Sequence, residues 1–134
     1  MRTRISLATV RGDFVRQVET ISGQNLMACN QCGKCSAGCP VAFSMDILPN
    51  QVIRMGQLGL DEILDSQTIW TCAACLTCVA RCPKGIDLSR IMEAMRIIKM
   101  EKVGNRLDAD AISPELASVV PQLAIIGGFR KFTT

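Results

Sequence analysis

The residues most able to do chemistry in this sequence are its eight cysteines, which fall into two blocks of four. They are Cys29, Cys32, Cys35 and Cys39 in the first block, and Cys72, Cys75, Cys78 and Cys82 in the second. Each block has the spacing Cys-x2-Cys-x2-Cys-x3-Cys-Pro, and the two superpose at an offset of 43 residues with no gap. Such self-similarity indicates that one binding unit occurs twice.

This spacing is the bacterial ferredoxin run, whose thiolates bind [4Fe-4S] clusters. Three cysteines at steps of three can wrap one face of a cubane cluster, whereas the fourth follows too closely and points away as the chain turns at proline. In two-cluster ferredoxins this fourth cysteine binds the other cluster. We therefore predict two [4Fe-4S] clusters with crossed ligands. The first is assigned to Cys29, Cys32, Cys35 and Cys82, and the second to Cys72, Cys75, Cys78 and Cys39.

Structural zinc and disulfide bonds are the alternative uses of clustered cysteines. Structural zinc usually takes two separated cysteine pairs in a tetrahedron, whereas these blocks offer three evenly stepped cysteines plus one. Disulfides need an oxidising compartment, and the start of the sequence has no apolar run that leads to a signal-peptide cleavage site. Clusters fit the pattern better than either alternative.

The composition excludes several kinds of site. The sequence contains no histidine, which removes Ser-His-Asp and Cys-His nucleophiles, Cys2His2 zinc fingers and histidine-ligated haem. Hydrophobic residues make up 49% of the chain and aromatic residues 4%, so we expect an aliphatic core. The net charge of +3 is too small to indicate nucleic-acid binding.

We expect a cytoplasmic protein with no membrane-spanning segment of its own. No window reaches the roughly 18 apolar residues that a membrane helix needs. The nearest, residues 116–129, is shorter and is interrupted by Pro121, Gly127 and Gly128.

The pattern around the blocks predicts helices and no strands. Phe14, Val15, Val18 and Ile21 form one apolar stripe of a helix that Gly23 can close. The other predicted segments are a helix opened by Pro49 and stopped by Gly56, a turn over 61–64, a long helix capped by Asp87 and ending near Gly104, and a helix that begins at Ser113-Pro114-Glu115 and is kinked or ended by Pro121.

These segments predict an all-α protein with two loop-rich metal-binding blocks. We divide it into an N-terminal helical extension over 1–28, a two-cluster domain over 29–104 and a C-terminal helical tail over 105–134. The tail is apolar and interrupted, so it either packs on its own core or docks on a partner.

Other residues near the cysteines have two interpretations each. Lys34, Arg81 and Lys84 either favour the reduced clusters by their positive charge or are solvated loop residues. Val41 and Ile86 either shield the clusters or belong to the ordinary core. Trp70, two residues before Cys72, is predicted to be a core residue rather than a cover over a cluster.

The insert between the blocks carries a family resemblance. It is much longer than in small bacterial ferredoxins, and it contains Pro49-Asn-Gln-Val-Ile-Arg-Met-Gly-Gln-Leu-Gly59 and then Ile69-Trp70-Thr71-Cys72. From Phe14 to Arg96 the sequence resembles the α-helical ferredoxin domain of the C subunit of heterodisulfide reductase, which implies an α-helical ferredoxin-like fold with two [4Fe-4S]-binding loop regions. It is also similar to the iron–sulfur subunits of fumarate reductase and anaerobic glycerol-3-phosphate dehydrogenase, but it lacks the additional cysteine-rich regions of those proteins.

The resemblance implies an electron-relay subunit of an oxidoreductase complex. In that family a flavin-containing A subunit supplies electrons, the C subunit passes them through two [4Fe-4S] clusters, and the B subunit reduces the disulfide. This chain has no additional cysteine motif for the disulfide chemistry, and we predict no catalytic residue in it. Its expected partners are therefore A-like and B-like subunits.

Three other functions remain open from the sequence. The chain could be an iron–sulfur subunit of another anaerobic respiratory oxidoreductase or a diffusible two-cluster ferredoxin. A redox sensor would need an effector element, such as a basic helix that reads DNA. Arg96, Lys99, Lys102 and Arg106 lie at helical spacing, although a solvated face or a partner contact explains them better.

Overall fold

The computed structural model describes residues 7–10, 12–103 and 112–131, and the regular elements within these ranges are helices without strands, which confirms the all-α class. The α-helices are α1 (Leu7–Val10), α2 (Asp13–Ser22), α3 (Lys34–Ala37), α4 (Pro49–Gln57), α5 (Thr68–Thr71), α6 (Thr77–Arg81), α7 (Leu88–Val103), α8 (Pro114–Val119) and α9 (Gln122–Lys131). The 3₁₀ turns are Leu26–Ala28, Ala42–Ser44 and Asp61–Asp65. The chain divides into two compact units, Met1–Lys99 and Met100–Thr134.

Helix α2 forms and ends as the sequence predicts. Gly23 adopts the left-handed conformation, with φ +66°, and its amide donates to the Glu19 carbonyl at 2.9 Å. Val15 and Val18 are buried, but Ile21 is 41% exposed, so the predicted apolar stripe is wrong at that position. Ser22 is buried there instead, because its hydroxyl donates to the Val18 carbonyl at 2.6 Å.

Helix α4 begins at Pro49 as predicted but does not stop at Gly56. It continues to Gln57, and the chain leaves through Gly59, whose φ is +70°. Gly56 lies inside the helix, where a Cβ would be 3.3 Å from Leu26 Cδ1. The glycine therefore allows close packing on Leu26 rather than ending the helix.

Helix α7 supplies much of the core of the first unit. Asp87 precedes it, and the Asp87 carboxylate accepts from the Arg90 amide at 3.1 Å, as expected of a cap. The helix ends at Val103, and the predicted end at Gly104 lies just outside the described residues. The buried apolar residues of the first unit are Val15, Val18, Leu26, Val52, Ile53, Ile63, Leu64, Ile69, Ile86, Leu88, Ile91, Met92, Ala94, Met95 and Ile98.

The second unit contains α8 and α9. The Ser113 hydroxyl accepts from the Leu116 amide at 3.2 Å, so the predicted helix start is confirmed, and Pro121 separates the two helices. Several large apolar side chains here are exposed: Leu116, Val119, Leu123 and Ile126. The division at residues 28 and 104 and the docking role of the tail stay predictions.

Within the described ranges, none of the helices has both the length and the apolar character needed to cross a bilayer.

Candidate metal centre

The two cysteine blocks share one backbone conformation. Gln31 and Gly33 have left-handed φ angles of 57° and 75°, and their counterparts in the second block, Ala74 and Leu76, have φ angles of 50° and 62°. Left-handed backbone is uncommon for residues other than glycine and persists where the surroundings impose it. The repeat seen in the sequence is therefore also a repeat of the chain path between cysteines.

Each block ends in a short helix, α3 in the first and α6 in the second, and these two helices pack against each other. Gly38 and Arg81, which occupy the same position of the repeat, meet at this contact. A Cβ on Gly38 would lie 2.7 Å from Arg81 Cδ, so only glycine lets the arginine stem lie so close. The contact brings the end of each block beside the start of the other.

The first cavity is bordered by both blocks. The cysteines that line it are Cys29, Cys32, Cys35, Cys78 and Cys82. Lys34, Lys84, Ile86 and Leu88 also contribute to its wall. Three thiols of the first block thus face one cavity together with the last thiol of the second block.

The second cavity is likewise bordered by both blocks. The cysteines that line it are Cys39, Cys72, Cys75 and Cys78. Its wall is otherwise largely apolar and includes Val41, Met45, Leu76, Leu88 and Met92. Cys78 and Leu88 line both cavities, so the two cavities share a wall.

Hydrogen bonds already reach several of the thiols. The Gln31 amide donates to Cys29 Sγ and the Ile86 amide donates to Cys82 Sγ, both at 3.4 Å. In the second block, the Cys75 thiol lies 3.4 Å from the Thr77 hydroxyl oxygen. Amide hydrogen bonds to cysteine sulfur are one means by which proteins tune the potential of a bound cluster.

Burial and hydrogen bonding shift the pKa values of three thiols. Burial raises the pKa of Cys35, and burial together with the neighbouring Cys72 and Cys35 raises the pKa of Cys78 to about 11. The hydrogen bonds to Thr77 lower the pKa of Cys75. A cationic metal centre favours the thiolate form, so buried thiols of this kind are suited to metal binding rather than to reaction as free nucleophiles.

A buried glutamine holds the start of the first block. Gln57 Nε2 donates to the carbonyl oxygens of Leu26 and Cys29, both at 2.9 Å. Arg54 donates to the other end of this amide, with Nη1 3.3 Å from Gln57 Oε1. The amide thus fixes the backbone on either side of the turn that leads into the first cysteine.

An arginine holds the start of the second block in the same way. Arg96 Nε donates to the Ile69 carbonyl at 2.5 Å, and Nη2 donates to the Cys72 carbonyl at 2.8 Å. These carbonyls are the repeat counterparts of those that Gln57 binds. Glu93 pairs with Arg96 at 3.0 Å. The interpretation of Arg96 as part of a solvated helix face is therefore wrong.

Asp46 supports the helix that precedes the second block. Its carboxylate accepts from the amides of Gln67 and Thr68 at 2.9 and 2.8 Å, and from the hydroxyls of Ser66 and Thr68 at 2.9 and 2.5 Å. The hydrogen bond from the Thr68 hydroxyl and those from Ser66 and the two amides lower the pKa of Asp46 strongly. No local pattern indicates this role, since Ser66, Gln67 and Thr68 lie at least 20 residues beyond Asp46 in the sequence.

The sequence allows Trp70, Val41 and Ile86 each to be either a core residue or a cover over a cluster, and the structure shows where each one lies. Trp70 is 52% exposed, so its prediction as a core residue is wrong. In the short helix α5 the buried residues are Thr68 and Ile69 instead. Val41 is half-buried and lines the second cavity, whereas Ile86 is buried and lines the first.

The donor set fits an iron–sulfur cluster. Cysteine thiolates are the soft ligands that such clusters take, and each cavity is lined by at least four of them. Among the described residues, which include all eight cysteines, no three Cys, Asp or Glu side chains converge tightly enough to hold a single ion. The thiols instead line two separate cavities.

Comparison with known proteins identifies the same kind of centre. A family model described as a 4Fe-4S dicluster domain matches residues 25–86. This range includes all eight cysteines and both short helices α3 and α6. The chain thus contains an iron–sulfur domain of the 4Fe-4S type.

Curated relatives carry one recurring name. The chain is 35% identical over 106 residues to the second iron–sulfur C subunit of CoB–CoM heterodisulfide reductase from Methanocaldococcus jannaschii, an alignment that covers 73% of this chain and 57% of the relative. It is 30% identical over 117 residues to the C subunit of ferredoxin:CoB-CoM heterodisulfide reductase from Methanosarcina acetivorans, covering 82% and 47%. A protein of Archaeoglobus profundus, named as like the heterodisulfide reductase C subunit, is 36% identical over 87 residues, covering 63% and 46%.

These relatives confirm the resemblance to the C subunit of heterodisulfide reductase. They also support a role in iron–sulfur electron transfer. The chain spans about half the length of the curated relatives it matches.

Proposed function

We propose that this relative of the heterodisulfide reductase C subunit relays electrons through two [4Fe-4S] clusters that cross-link its two cysteine blocks. Cys29, Cys32, Cys35 and Cys82 would hold the first cluster, and Cys72, Cys75, Cys78 and Cys39 would hold the second. The observation that carries the proposal is that each of these sets of four lines its own cavity.

The chain's own residues act by binding and positioning. When bound, a [4Fe-4S] cluster takes up and releases one electron at a time. Gln57 and Arg96 hold the carbonyls around the first cysteine of each block, and the packing of α3 against α6 keeps the blocks together. No proton transfer or substrate contact is required of the protein for such a relay.

The shared wall between the cavities supports a relay rather than two independent sites. Cys78 and Leu88 border both cavities, so the two groups would lie next to each other. Both cavities lie within the first compact unit, Met1–Lys99. An electron that arrives at one site would therefore pass to the other without a large rearrangement of the chain.

The proposed partners rest on the names of the relatives. We propose that an A-like flavin and iron–sulfur subunit delivers electrons to this chain, and that a B-like subunit takes them to reduce a disulfide. We also propose a cytoplasmic location, where thiols stay reduced and free for metal binding.

The direct test is to purify the protein without oxygen and to measure its iron, sulfide, visible absorption and electron paramagnetic resonance. We expect about eight iron and eight sulfide per chain, as two [4Fe-4S] clusters require, and absorption in the visible range. Zinc in place of iron, with no visible absorption, would overturn the proposal.

Affinity purification from the native source tests the complex. We expect a flavin-containing subunit and a second cysteine-rich subunit to copurify in fixed ratio. A monomer that exchanges electrons freely with unrelated reductases would instead favour the diffusible ferredoxin. The copurifying chains would also distinguish another respiratory oxidoreductase.

A further inference from the structure

The two cysteine blocks differ in charge at two repeat-related positions. Lys34 of the first block corresponds to Thr77 of the second, and Lys84, which follows the second block, corresponds to Val41, which follows the first. Each repeat thus carries one lysine where the other carries a neutral residue. In the sequence, therefore, each repeat has one of these two lysines, and the two repeats do not differ in the charge that the lysines contribute.

The crossing of the blocks removes this balance. Lys84 follows Cys82, which lies at the cavity of the first block, and Lys34 lies within the first block itself. Both lysines consequently line the first cavity, whereas Val41 and Thr77 line the second. Arg81, the third basic residue of these loops, lines neither of the two cavities and lies against Gly38.

The wall of the second cavity points in the same direction. It includes Met45, Leu76 and Met92, and apolar surroundings disfavour added charge. Since reduction adds one negative charge, this wall favours reduction at the first cavity over the second. Hydrogen bonds reach thiols of both cavities, so they do not distinguish the two sites.

Arg96, on α7, places another positive charge beside the second block, and it does not reverse the difference. Arg96 binds the Cys72 carbonyl, but Glu93 pairs with it at 3.0 Å, so their charges offset each other. The lysines of the first cavity have no such ion pair among those that the structure shows.

We propose that Lys34 and Lys84 make the site of Cys29, Cys32, Cys35 and Cys82 the one of higher reduction potential, so that a single electron on the chain rests there. The proposal rests on the two-cluster function above. It gives the relay an internal direction, from the site of Cys72, Cys75, Cys78 and Cys39 to the first site.

The test is a redox titration of the cluster-loaded full chain followed by electron paramagnetic resonance. The variant Lys34→Thr/Lys84→Val carries the residues that the other repeat has at these positions. We expect this variant to lower the reduction potential of the higher-potential step by about 59 mV, which is a tenfold change in the one-electron equilibrium toward the oxidised form. The potential of the lower step should not change. Both lysines are exposed, so the shift should shrink at high salt.

Two further variants complete the design. Val41→Lys adds a charge at the second cavity and should raise the lower step only. Arg16→Gln removes an exposed charge from α2, away from both cavities, and should move neither step. A shift of the lower step by the double variant, equal shifts of both steps, or no shift would overturn the inference while the two-cluster function stands. A protein without clusters would overturn both.

Discussion

The first cysteine block is held by the neutral amide of Gln57, and the second by the guanidinium of Arg96. The two side chains come from different helices, α4 and α7, yet they bind the corresponding pair of carbonyls in each repeat. Gln57 is buried, whereas Arg96 is paired with the exposed Glu93. The backbone of the repeat is therefore preserved while its supports differ.

This comparison teaches that the chain path, rather than the supporting side chain, is what a [4Fe-4S] site of this kind requires. The left-handed residues illustrate it, since Gly33 and Leu76 adopt nearly the same φ angle. Glycine adopts that conformation readily, whereas leucine must be forced into it. Differences between the blocks are therefore free to adjust stability and potential separately at each site.

The largest effect should come from removing the last cysteine of a block. If the ligands are crossed, Cys82→Ala removes the cluster of the first site, although Cys82 belongs to the second block. We expect about half of the bound iron to be lost, with a residual resonance spectrum that matches that of Cys29→Ala.

Cys39→Ala provides the matched variant for this prediction. Its residual spectrum should match that of Cys72→Ala, because both would leave only the first cluster. If Cys82→Ala instead resembles Cys72→Ala, each block binds its own cluster and the crossed assignment is wrong. If one variant loses both clusters on purification, its clusters are first reconstituted with iron and sulfide under mild conditions. The spectra of Cys82→Ala and Cys29→Ala, and those of Cys39→Ala and Cys72→Ala, are then compared in the same way.

The second effect in size concerns the residues that hold the blocks. Arg96→Ala removes two charge-assisted hydrogen bonds to carbonyls, and we expect a loss of about 2 to 3 kcal/mol in the free energy of unfolding. Gln57→Ala should cost about 1 to 2 kcal/mol, because its bonds are neutral. Anaerobic denaturation monitored by circular dichroism measures both values.

The rate of iron release from each site tests these two variants more sharply than overall stability does. Arg96→Ala should speed the release of iron to a chelator from the second site, and Gln57→Ala from the first. Arg96→Lys keeps the charge but not the two-pronged geometry, so it should restore only part of the loss. Arg16→Ala, on the exposed face of α2, is the control and should change neither rate. Equal acceleration at both sites would contradict the comparison.

Local signals account for the features that could be predicted well from the sequence. The cysteine spacing implied the two sites, and Gly23, Pro49, Asp87 and Ser113 marked helix ends that the structure contains. Each of these signals acts on backbone groups within about one helical turn of itself. Such information is fully present in a short stretch of sequence.

The predictions that were wrong concern residues whose positions are set by the surrounding fold rather than by neighbouring sequence. Arg96 lies 24 and 27 residues from the carbonyls that it binds, so its helical spacing suggested only a solvated face. Trp70 was assigned to the core on size, although its neighbour Ile69 takes the buried position. The left-handed angles at Gln31 and Ala74 have no residue signature, because the surrounding fold imposes them.

The third effect concerns Asp46, which supports only the second block. Asp46→Asn keeps the shape but loses the charge, and we expect a loss of about 1 to 2 kcal/mol near neutral pH. Because the pKa of Asp46 is lowered in the folded protein, its contribution is complete above the unfolded value of about 4 and is lost as the pH falls below it. The gap in unfolding free energy between the two proteins should therefore narrow in acid.

Comparing the two proteins at each pH isolates this contribution, since acid lability of bound clusters affects both alike. Asp13→Asn is a suitable control, because Asp13 makes only a long, exposed ion pair with Arg16 at 4.0 Å. A gap that stays constant from neutral pH into the acid range would show that the charge of Asp46 does not support α5.

The smallest effect compares the left-handed positions themselves. Gly33→Ala places a side chain at φ +75° and should destabilise the protein by about 1 kcal/mol. No atom lies within 4 Å of where that Cβ would be, so the cost comes from the backbone and not from a clash. Leu76→Gly removes the same strain from the second block and should have the opposite sign, reduced by the loss of the half-exposed leucine. Because Gly33→Ala adds left-handed strain to its turn and Leu76→Gly relieves it, the two denaturation midpoints should move in opposite directions. Midpoints that move in the same direction would show that the two turns are not equivalent.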